Sequence, residues 1–336
     1  MVWMFIALMC FVIPGCSSSL TAVDGVDTLE ATWSQYESAS EAGWSSTQLD
    51  QAFRQADSMG SGDVMVVQGD AIVVAWGDIS RKFRAHSIRK MLLSALYGIA
   101  VEEGAIDIGL TLEQIGIDDI TPLSAEERSA TIEQLLMSAS GIYLAAVSRD
   151  DTPPPRGSQA PGTVFWYNNW DFNTLGRIYD QLTRTSLFDA LQQRLAVLLG
   201  MEDFELNDTF FEYERRKSLS PAYHLRLSAR DLARFGVMMM RGGQWEGEQI
   251  IPADWVSTST RAHIDEGDNR SFGYMWWLLE PGFFEEHPSV EAVLASGTGG
   301  QRLLFFPALD VVIVHRADTD FHGGVPRPWP HALQCC

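Results

Sequence analysis

Cysteine is missing from almost the whole of this 336-residue chain. The four cysteines are Cys10, Cys16, Cys335 and Cys336, so residues 17–334 can form neither a disulfide nor a zinc site built on paired cysteines. The sequence also contains no Gly-x-Ser-x-Gly nucleophile elbow and no His-Glu-x-x-His motif. These absences argue against an α/β-hydrolase and against a zinc hydrolase. We therefore expect a body held together by packing, with no metal and no cofactor.

Positive charge is scarce as well. There are 24 Lys+Arg against 44 Asp+Glu, which gives a net charge of −20 and a pI of about 4.6. Such a field repels phosphate backbones and anionic membrane surfaces, so we expect no nucleic-acid partner. With 46% hydrophobic and 20% charged residues, the chain has enough apolar material for one large, elaborated domain. This balance is typical of an enzyme.

The N-terminus carries the one long apolar run. Residues 2–14 hold no charge, and the first charged residue is Asp24. A run of about 13 residues is short for a membrane span but suits the core of a signal peptide. Gly15-Cys16 and the serines after it resemble a bacterial lipoprotein signal, which makes Cys16 a lipidation candidate; the alternative is a buried N-terminal helix. We expect an exported protein, periplasmic or lipid-anchored, whose membrane attachment is possible only through this end.

The remaining chain predicts one α+β domain at 24–320, between the signal-like segment 1–23 and an irregular tail at 321–336. Runs rich in β-branched and aromatic residues predict strands at 63–67, 71–76, 274–279, 303–306 and 311–315. Helical patterns fill the middle, at 131–137, 174–183 and 228–241, where Ser228 and Asp231 suggest a capping box. This order predicts an antiparallel sheet built from N- and C-terminal strands, flanked by helices, plus a mainly helical lobe.

One predicted helix, from Ser87 to Glu103, combines a serine and a lysine in an apolar setting. Of the three lysines in the chain, only Lys90 has a serine three residues before it, and residues at that spacing share a helix face. Burial disfavours the ammonium form of a lysine and makes it a better base. The free N–H groups at the helix start can hold an anion. The alternative is that Ser87 only caps the helix and Lys90 reaches solvent.

Two further motifs follow along the chain. Tyr167 stands two residues before Asn169, a spacing that places a phenol and an amide on one side of an extended stretch. The glycine-rich stretch Gly297-Thr298-Gly299-Gly300 precedes a predicted strand and lets a substrate approach the backbone. Each motif also has a structural alternative when it is taken singly. The aromatic stretch could only anchor a loop by packing, and the glycine stretch could be a simple loop between strands.

Together the motifs resemble the serine β-lactamase-like superfamily, in its class C-like branch of AmpC-type β-lactamases, D-alanyl-D-alanine peptidases, family VIII esterases and 6-aminohexanoate-dimer hydrolases. Ser87-Ile88-Arg89-Lys90 matches Ser-x-x-Lys, and Tyr167-Asn168-Asn169 matches Tyr-x-Asn. The surrounding phrases also look like this branch, among them LLSALYGIAVEEGAIDI, PGTVFWYNNWDFNTLG and SARDLARFGVMMMRGGQW. The similarity extends from about Asp63 to Asp318.

The resemblance implies a β-lactamase/transpeptidase-like fold and an acyl-enzyme mechanism. By it, Ser87 would be the nucleophile, Lys90 and Tyr167 would share the acid and base work, and Asn169 would support them. The backbone N–H groups of Ser87 and of the stretch Gly297, Thr298, Gly299 and Gly300 would form the oxyanion hole. No metal or cofactor is implied, and the partner is a small ester or amide. Oligomeric state stays open.

One departure from the family pattern bears on the substrate. The third motif of the family usually begins with Lys or His, whereas here Gly297-Thr298-Gly299 has no basic residue at its head. The missing cation favours short-chain esters or small amides over β-lactams, unless Arg302 points into the cleft. The alternatives are a class C-type β-lactamase or D-alanyl-D-alanine carboxypeptidase, and a non-catalytic penicillin-recognising envelope protein. His315 with Asp318 or Asp320 could mimic a triad, but we expect only a surface cluster there.

Overall fold

The computed structural model describes residues 33–148 and 152–320. The signal-like segment 1–23 with Cys16, the expected start of the body at residue 24 and the tail 321–336 lie outside the described residues. The strands are β1 (Ser34–Gln35), β2 (Ser61–Gln68), β3 (Ala71–Gly77), β4 (Phe83–Arg84), β5 (Thr209–Glu212), β6 (Ala222–Leu227), β7 (Gln244–Trp245), β8 (Glu248–Gln249), β9 (Ile264–Gly267), β10 (Arg270–Phe272), β11 (Trp277–Leu279), β12 (Ala292–Gly297), β13 (Gln301–Phe306) and β14 (Val311–Ala317).

The helices are α1 (Ser46–Ser58), α2 (Arg89–Glu102), α3 (Leu112–Ile115), α4 (Ala125–Arg128), α5 (Ile132–Leu136), α6 (Asn169–Thr183), α7 (Leu187–Leu191), α8 (Ala229–Met240) and α9 (Ala253–Ser259). Short 3₁₀ turns lie at His86–Ile88, Thr298–Gly300 and Pro307–Leu309. Among the described helices, none is both long and apolar enough to cross a bilayer.

A nine-stranded sheet joins the two ends of the domain. Its order is β1-β3-β2-β14-β13-β12-β11-β10-β9, and β14 pairs antiparallel with β2 in its centre. This confirms the predicted α+β fold and its sheet of N- and C-terminal strands. All pairs in this sheet are antiparallel except β1 with β3.

Helix α8 covers the middle of this sheet because its glycine permits close approach. A Cβ on Gly236 would lie 2.6 Å from the Leu303 side chain and 2.8 Å from that of Val312. Ser228 caps the helix as predicted, since its side chain accepts from the Asp231 N–H. The reciprocal half of the predicted capping box is not formed, because the Asp231 carboxylate instead accepts backbone N–H groups of residues 202–204.

Two predicted elements have different bounds in the structure. The run 274–279 is a strand only from Trp277, because Met275 has a left-handed φ of 67° and its N–H donates to Leu136 O. The helix expected at 174–183 begins at Asn169, so Asn169 lies in the first helical turn and not in an extended stretch. The middle lobe also contains a small sheet, β4-β6-β5, besides its helices.

Candidate active site

Ser87 lies in a tight turn at the entrance to α2. The 3₁₀ turn His86–Ile88 leads directly into the helix, and the Ile88 N–H donates to Ala85 O at 3.1 Å. Helix α2 is apolar on almost every face and is buried from Arg89 to Ala100. The serine is therefore held by a rigid, buried element, in the first turn where backbone N–H groups have no intrahelical partner.

Lys90 is buried to 1% exposure and lies between two oxygens. Its Nζ is 3.0 Å from Ser87 Oγ and 2.5 Å from Tyr167 Oη. The same nitrogen lies 4.2 Å from the centroid of the Tyr167 ring and 4.4 Å from that of Phe172. The alternative in which Lys90 reaches solvent is therefore excluded. The three side chains form one continuous chain of polar atoms, which can pass a proton from the serine to the phenol.

Tyr167 is fixed by a cluster of aromatic rings. Its ring stacks on Trp277 at 5.8 Å and contacts Phe172 at 5.0 Å and Phe272 at 6.3 Å. These partners come from α6, β10 and β11, so the phenol is held where the helical lobe meets the sheet. The cluster also keeps water away from the lysine, which strengthens its polar interactions.

The two asparagines that follow Tyr167 lie at different positions of α6. Asn168 caps α6, since its side chain accepts from the Trp170 N–H and its Nδ2 donates to Ile142 O at 2.7 Å. Asn169 is buried in the first turn of α6. The structure brings Ser87, Lys90 and Tyr167 into contact, and the supporting role of Asn169 stays a prediction.

The glycine-rich stretch lies against the serine turn. A Cβ on Gly297 would be 2.7 Å from Ala85 O and 3.3 Å from the Cβ of His86, so only glycine permits this approach. Thr298–Gly300 then forms a 3₁₀ turn in which Gly299 and Gly300 have φ of 78° and 97°. These conformations favour glycine. The predicted oxyanion stretch and the predicted nucleophile are thus neighbours.

Arg302, the candidate cation for the cleft, donates hydrogen bonds to backbone carbonyl groups. Its side chain is buried, and Nη1 donates to Gly297 O at 2.9 Å and to Gln301 O at 2.8 Å. These bonds brace the turn between β12 and β13. The position before Gly297 is held by Ser296, which is also buried.

The histidine expected in a surface cluster is buried instead. His315 Nδ1 donates to Gly300 O at 2.6 Å, and Nε2 lies 2.6 Å from Ser61 Oγ. Asp318 pairs with Arg81, and Asp320 lies 2.6 Å from Arg226 Nη1. The prediction of a surface cluster was therefore wrong for the histidine, and its contacts do not form a triad.

From the sequence, His86 could either line the site or be an exposed neighbour of the helix cap, and no role was predicted for Arg89 or Thr319. Arg89 is buried, donates to Asn173 Oδ1 at 3.0 Å and stacks 4.1 Å from the centroid of Tyr223. Burial lowers the pKa of Arg89. His86 has a left-handed φ of 49° and lies 2.8 Å from Thr319 Oγ1. A charged residue inside an apolar helix was the available signal for Arg89, whereas nothing in the sequence points to Thr319.

Within residues 33–148 and 152–320, no group of three or more His, Cys, Asp and Glu side chains is placed to hold a metal. This geometry can activate a serine hydroxyl, because a buried lysine lies within hydrogen-bond distance of it and of a phenol.

The chain is similar to a known protein family and to several solved structures. The Beta-lactamase family model matches residues 49–323. A Bacillus anthracis protein described as a 6-aminohexanoate-dimer hydrolase has 21% identity and a TM-score of 0.59, over 79% of this chain and 75% of that one. A class C beta-lactamase has 16% identity and a TM-score of 0.60, over 82% and 90%.

A penicillin binding protein from Bacillus halodurans has 15% identity and a TM-score of 0.58, over 79% of this chain and 94% of that one. These likenesses show the shared fold. No curated protein sequence matches the chain. Because the family model spans most of the sequence and its fold is the one observed, the chain belongs to the Beta-lactamase family.

Proposed function

We propose that this protein is a serine hydrolase that acts through an acyl-enzyme on Ser87, with short-chain carboxylic esters or small amides as substrates. The observation that carries the proposal is the buried contact chain from Ser87 Oγ through Lys90 Nζ to Tyr167 Oη. Membership of the Beta-lactamase family supports it.

In the first step, Ser87 Oγ attacks the substrate carbonyl carbon and its proton passes to the Lys90–Tyr167 pair. The bond to the leaving group then breaks, and the pair returns the proton to the departing alkoxide or amine. The carbonyl oxygen becomes negative during the attack. Backbone N–H groups of Ser87 and of the Gly297–Gly300 stretch are the donors we propose for it.

In the second step, water attacks the ester carbon of the acyl-enzyme. The Lys90–Tyr167 pair takes the water proton and gives it to Ser87 Oγ as the acyl bond breaks. A carboxylic acid leaves and the serine hydroxyl is restored, so the cycle needs no further reactant.

The preference for uncharged substrates rests on the third motif. Gly297 stands where the family usually has Lys or His, and Arg302 donates to backbone carbonyls of the adjacent turn. A carboxylate such as that of a β-lactam would find no cation from this motif. Export to the bacterial envelope, with Cys16 as the lipidation candidate, is part of the same proposal.

The test compares p-nitrophenyl butyrate with nitrocefin as substrates of the wild type and Ser87→Ala. Ser94→Ala is the matched control, because Ser94 lies on the same helix and its hydroxyl donates to Tyr274 O. We expect ester turnover with little nitrocefin turnover, loss of both in Ser87→Ala, and retention in Ser94→Ala.

Other outcomes have definite meanings. Strong nitrocefin turnover would favour the class C-type β-lactamase. Mass spectrometry after a fluorophosphonate probe should find the adduct on Ser87. An unmodified Ser87, with neither substrate turned over, would overturn the catalytic proposal and favour a binding protein.

A further inference from the structure

The end of β14 contacts both segments that meet beside Ser87. His315 donates to Gly300 O at 2.6 Å, in the turn after β12. Arg316 Nη2 donates to Phe83 O at 2.8 Å, in the strand that leads to Ser87. One short stretch of chain, residues 315–319, therefore contacts both sides of the candidate oxyanion hole.

Thr319 contacts both of the segments that meet beside Ser87. Its Oγ1 lies 2.8 Å from His86 Nε2, and His86 directly precedes Ser87. Its methyl carbon Cγ2 lies against the α-carbon of Gly299, so that a Cβ on that glycine would collide with it. A single side chain thus touches the nucleophile turn with its hydroxyl and the glycine turn with its methyl group.

The backbone of His86 explains why such a contact is needed. Its φ of 49° lies in the left-handed region, which non-glycine residues rarely adopt. A strained conformation persists only where its surroundings hold it. The contact to Thr319, 233 residues away, is one of the interactions that can do so.

The charges around His86 are mixed. Arg84, Arg89 and Arg316 disfavour its protonation and Asp320 favours it, while burial lowers the pKa of His86 to about 4. The ring is therefore neutral near pH 7. Its contact with the Thr319 hydroxyl is then an ordinary hydrogen bond between neutral groups, whose length depends on side-chain geometry and not on an ion pair.

We propose that His86 and Thr319 are a pair of positioning residues that sets the separation of the two oxyanion donors, the Ser87 N–H and the Gly297–Gly300 turn. The inference rests on the proposed serine hydrolase function. Neither side chain needs to touch the substrate, because each acts by fixing a backbone segment that does.

The central variant is Thr319→Val, which removes the hydroxyl and keeps a methyl group against Gly299. Thr319→Ser does the reverse, since it keeps the hydroxyl. Thr260→Val is the matched control, because the Thr260 hydroxyl donates to Val256 O at 2.7 Å in α9. Each variant is assayed on a p-nitrophenyl ester and on its thionoester, whose larger sulfur is a weaker hydrogen-bond acceptor and depends less on the oxyanion donors.

We expect Thr319→Val to lower kcat on the oxygen ester by about 10-fold, less than the 10²–10³ for removing a donor outright. KM should stay close to the wild-type value, and the thionoester rate should change much less. The oxygen-to-sulfur ratio therefore falls. Thr319→Ser loses only the methyl contact with Gly299, so its ratio should fall less, while Thr260→Val keeps the wild-type ratio.

The results separate the inference from the proposed function. An inactive wild type would overturn the proposed function, and this inference with it. An active wild type with an unchanged ratio in Thr319→Val would overturn the inference alone, and so would equal losses on both esters. If Thr319→Val does not fold, as judged by its thermal melt, Thr319→Ala and His86→Asn give the same test, since asparagine tolerates the left-handed φ.

Discussion

Lys90 is central to the proposed mechanism, because its nitrogen lies between the Ser87 hydroxyl and the Tyr167 phenol and its helix is buried. The Ser87 contact follows from helix geometry, since residues three apart share a face. The Tyr167 contact follows from tertiary packing over 77 residues. Burial raises the energetic cost of an unpaired charge, so the nitrogen gains from keeping both oxygens. The contacts with both oxygens therefore offset the cost of burying this side chain.

Replacing Tyr167 with phenylalanine tests the phenol separately from the ring. The ring contacts with Trp277 and Phe172 should remain, so the fold should be kept. Because a general acid or base contributes about 10²–10⁴-fold, kcat for the ester should fall by that factor. Tyr97→Phe is the control, since the buried Tyr97 hydroxyl donates to the Leu175 carbonyl and has no part in the proposed mechanism. A Tyr167→Phe enzyme with nearly wild-type kcat would remove the phenol from the mechanism.

The neutral state of His315 predicts a pH-dependent contribution to stability. Burial lowers the pKa of His315 to about 4, whereas a histidine in the unfolded chain titrates near ~6.5. The unfolded chain therefore binds a proton first as pH falls, so this contribution is present above about pH 6.5 and is lost toward pH 4.

The measurement is urea unfolding of the wild type and His315→Gln between pH 8 and pH 4.5. The variant loses contacts to Gly300 and Ser61 and should be less stable at pH 8. The difference in unfolding free energy should shrink by a few kcal/mol as pH falls, on the order of 2–3 for a shift of about two units. A difference that does not change with pH would show that the fold does not lower the pKa of His315.

At the scale of elements, the strand–turn–strand stretch 292–306 closely approaches the 3₁₀ turn that precedes α2. Gly297 and Gly299 are glycine because Ala85, His86 and Thr319 occupy the space of a side chain. Gly236 is glycine for another reason, the packing of α8 on β13 and β14. The same residue type thus serves the site in one element and the core in another.

This contrast gives a paired prediction. Gly299→Ala adds a methyl group against Thr319 at a φ of 78°, so it should displace the turn and reduce ester turnover at least about 10-fold. Gly236→Ala overpacks the core and should cost about 1–3 kcal/mol of stability with turnover kept below the melting temperature. Thermal melts and ester kinetics on both variants separate the effects. Equal loss of turnover in both would mean that activity follows stability alone.

Contacts between residues close in the sequence were predictable from it, whereas contacts between distant residues were not. The hairpin of β2 and β3 follows from two apolar runs around Gly69, and the β13–β14 turn follows from Pro307 and Asp310. The approach of Tyr167 to Lys90 came only from the family resemblance. The His86–Thr319 contact was not predictable, because one polar pair far apart in sequence leaves no periodic pattern.

For the molecule as a whole, the net charge of −20 acts on every substrate that approaches. Screening reduces the reach of that field from about 30 Å at 0.01 M salt to about 10 Å at 0.1 M. A neutral ester feels little of it, whereas a carboxylate is repelled unless a local cation compensates. The global charge and the missing third-motif cation thus favour the same substrates.

Two esters with the same leaving group, one neutral and one carrying a carboxylate, test the preference for neutral substrates. We expect kcat/KM for p-nitrophenyl butyrate to be nearly constant between 0.01 M and 0.1 M NaCl. For mono-p-nitrophenyl glutarate, which carries a carboxylate, kcat/KM should be lower and should rise with salt because screening weakens the repulsion. If the glutarate is instead the better substrate at low salt and loses that advantage at high salt, a cation in the cleft recognises carboxylates. The preference for neutral esters would then be wrong, and Arg302→Met would be the first variant to measure.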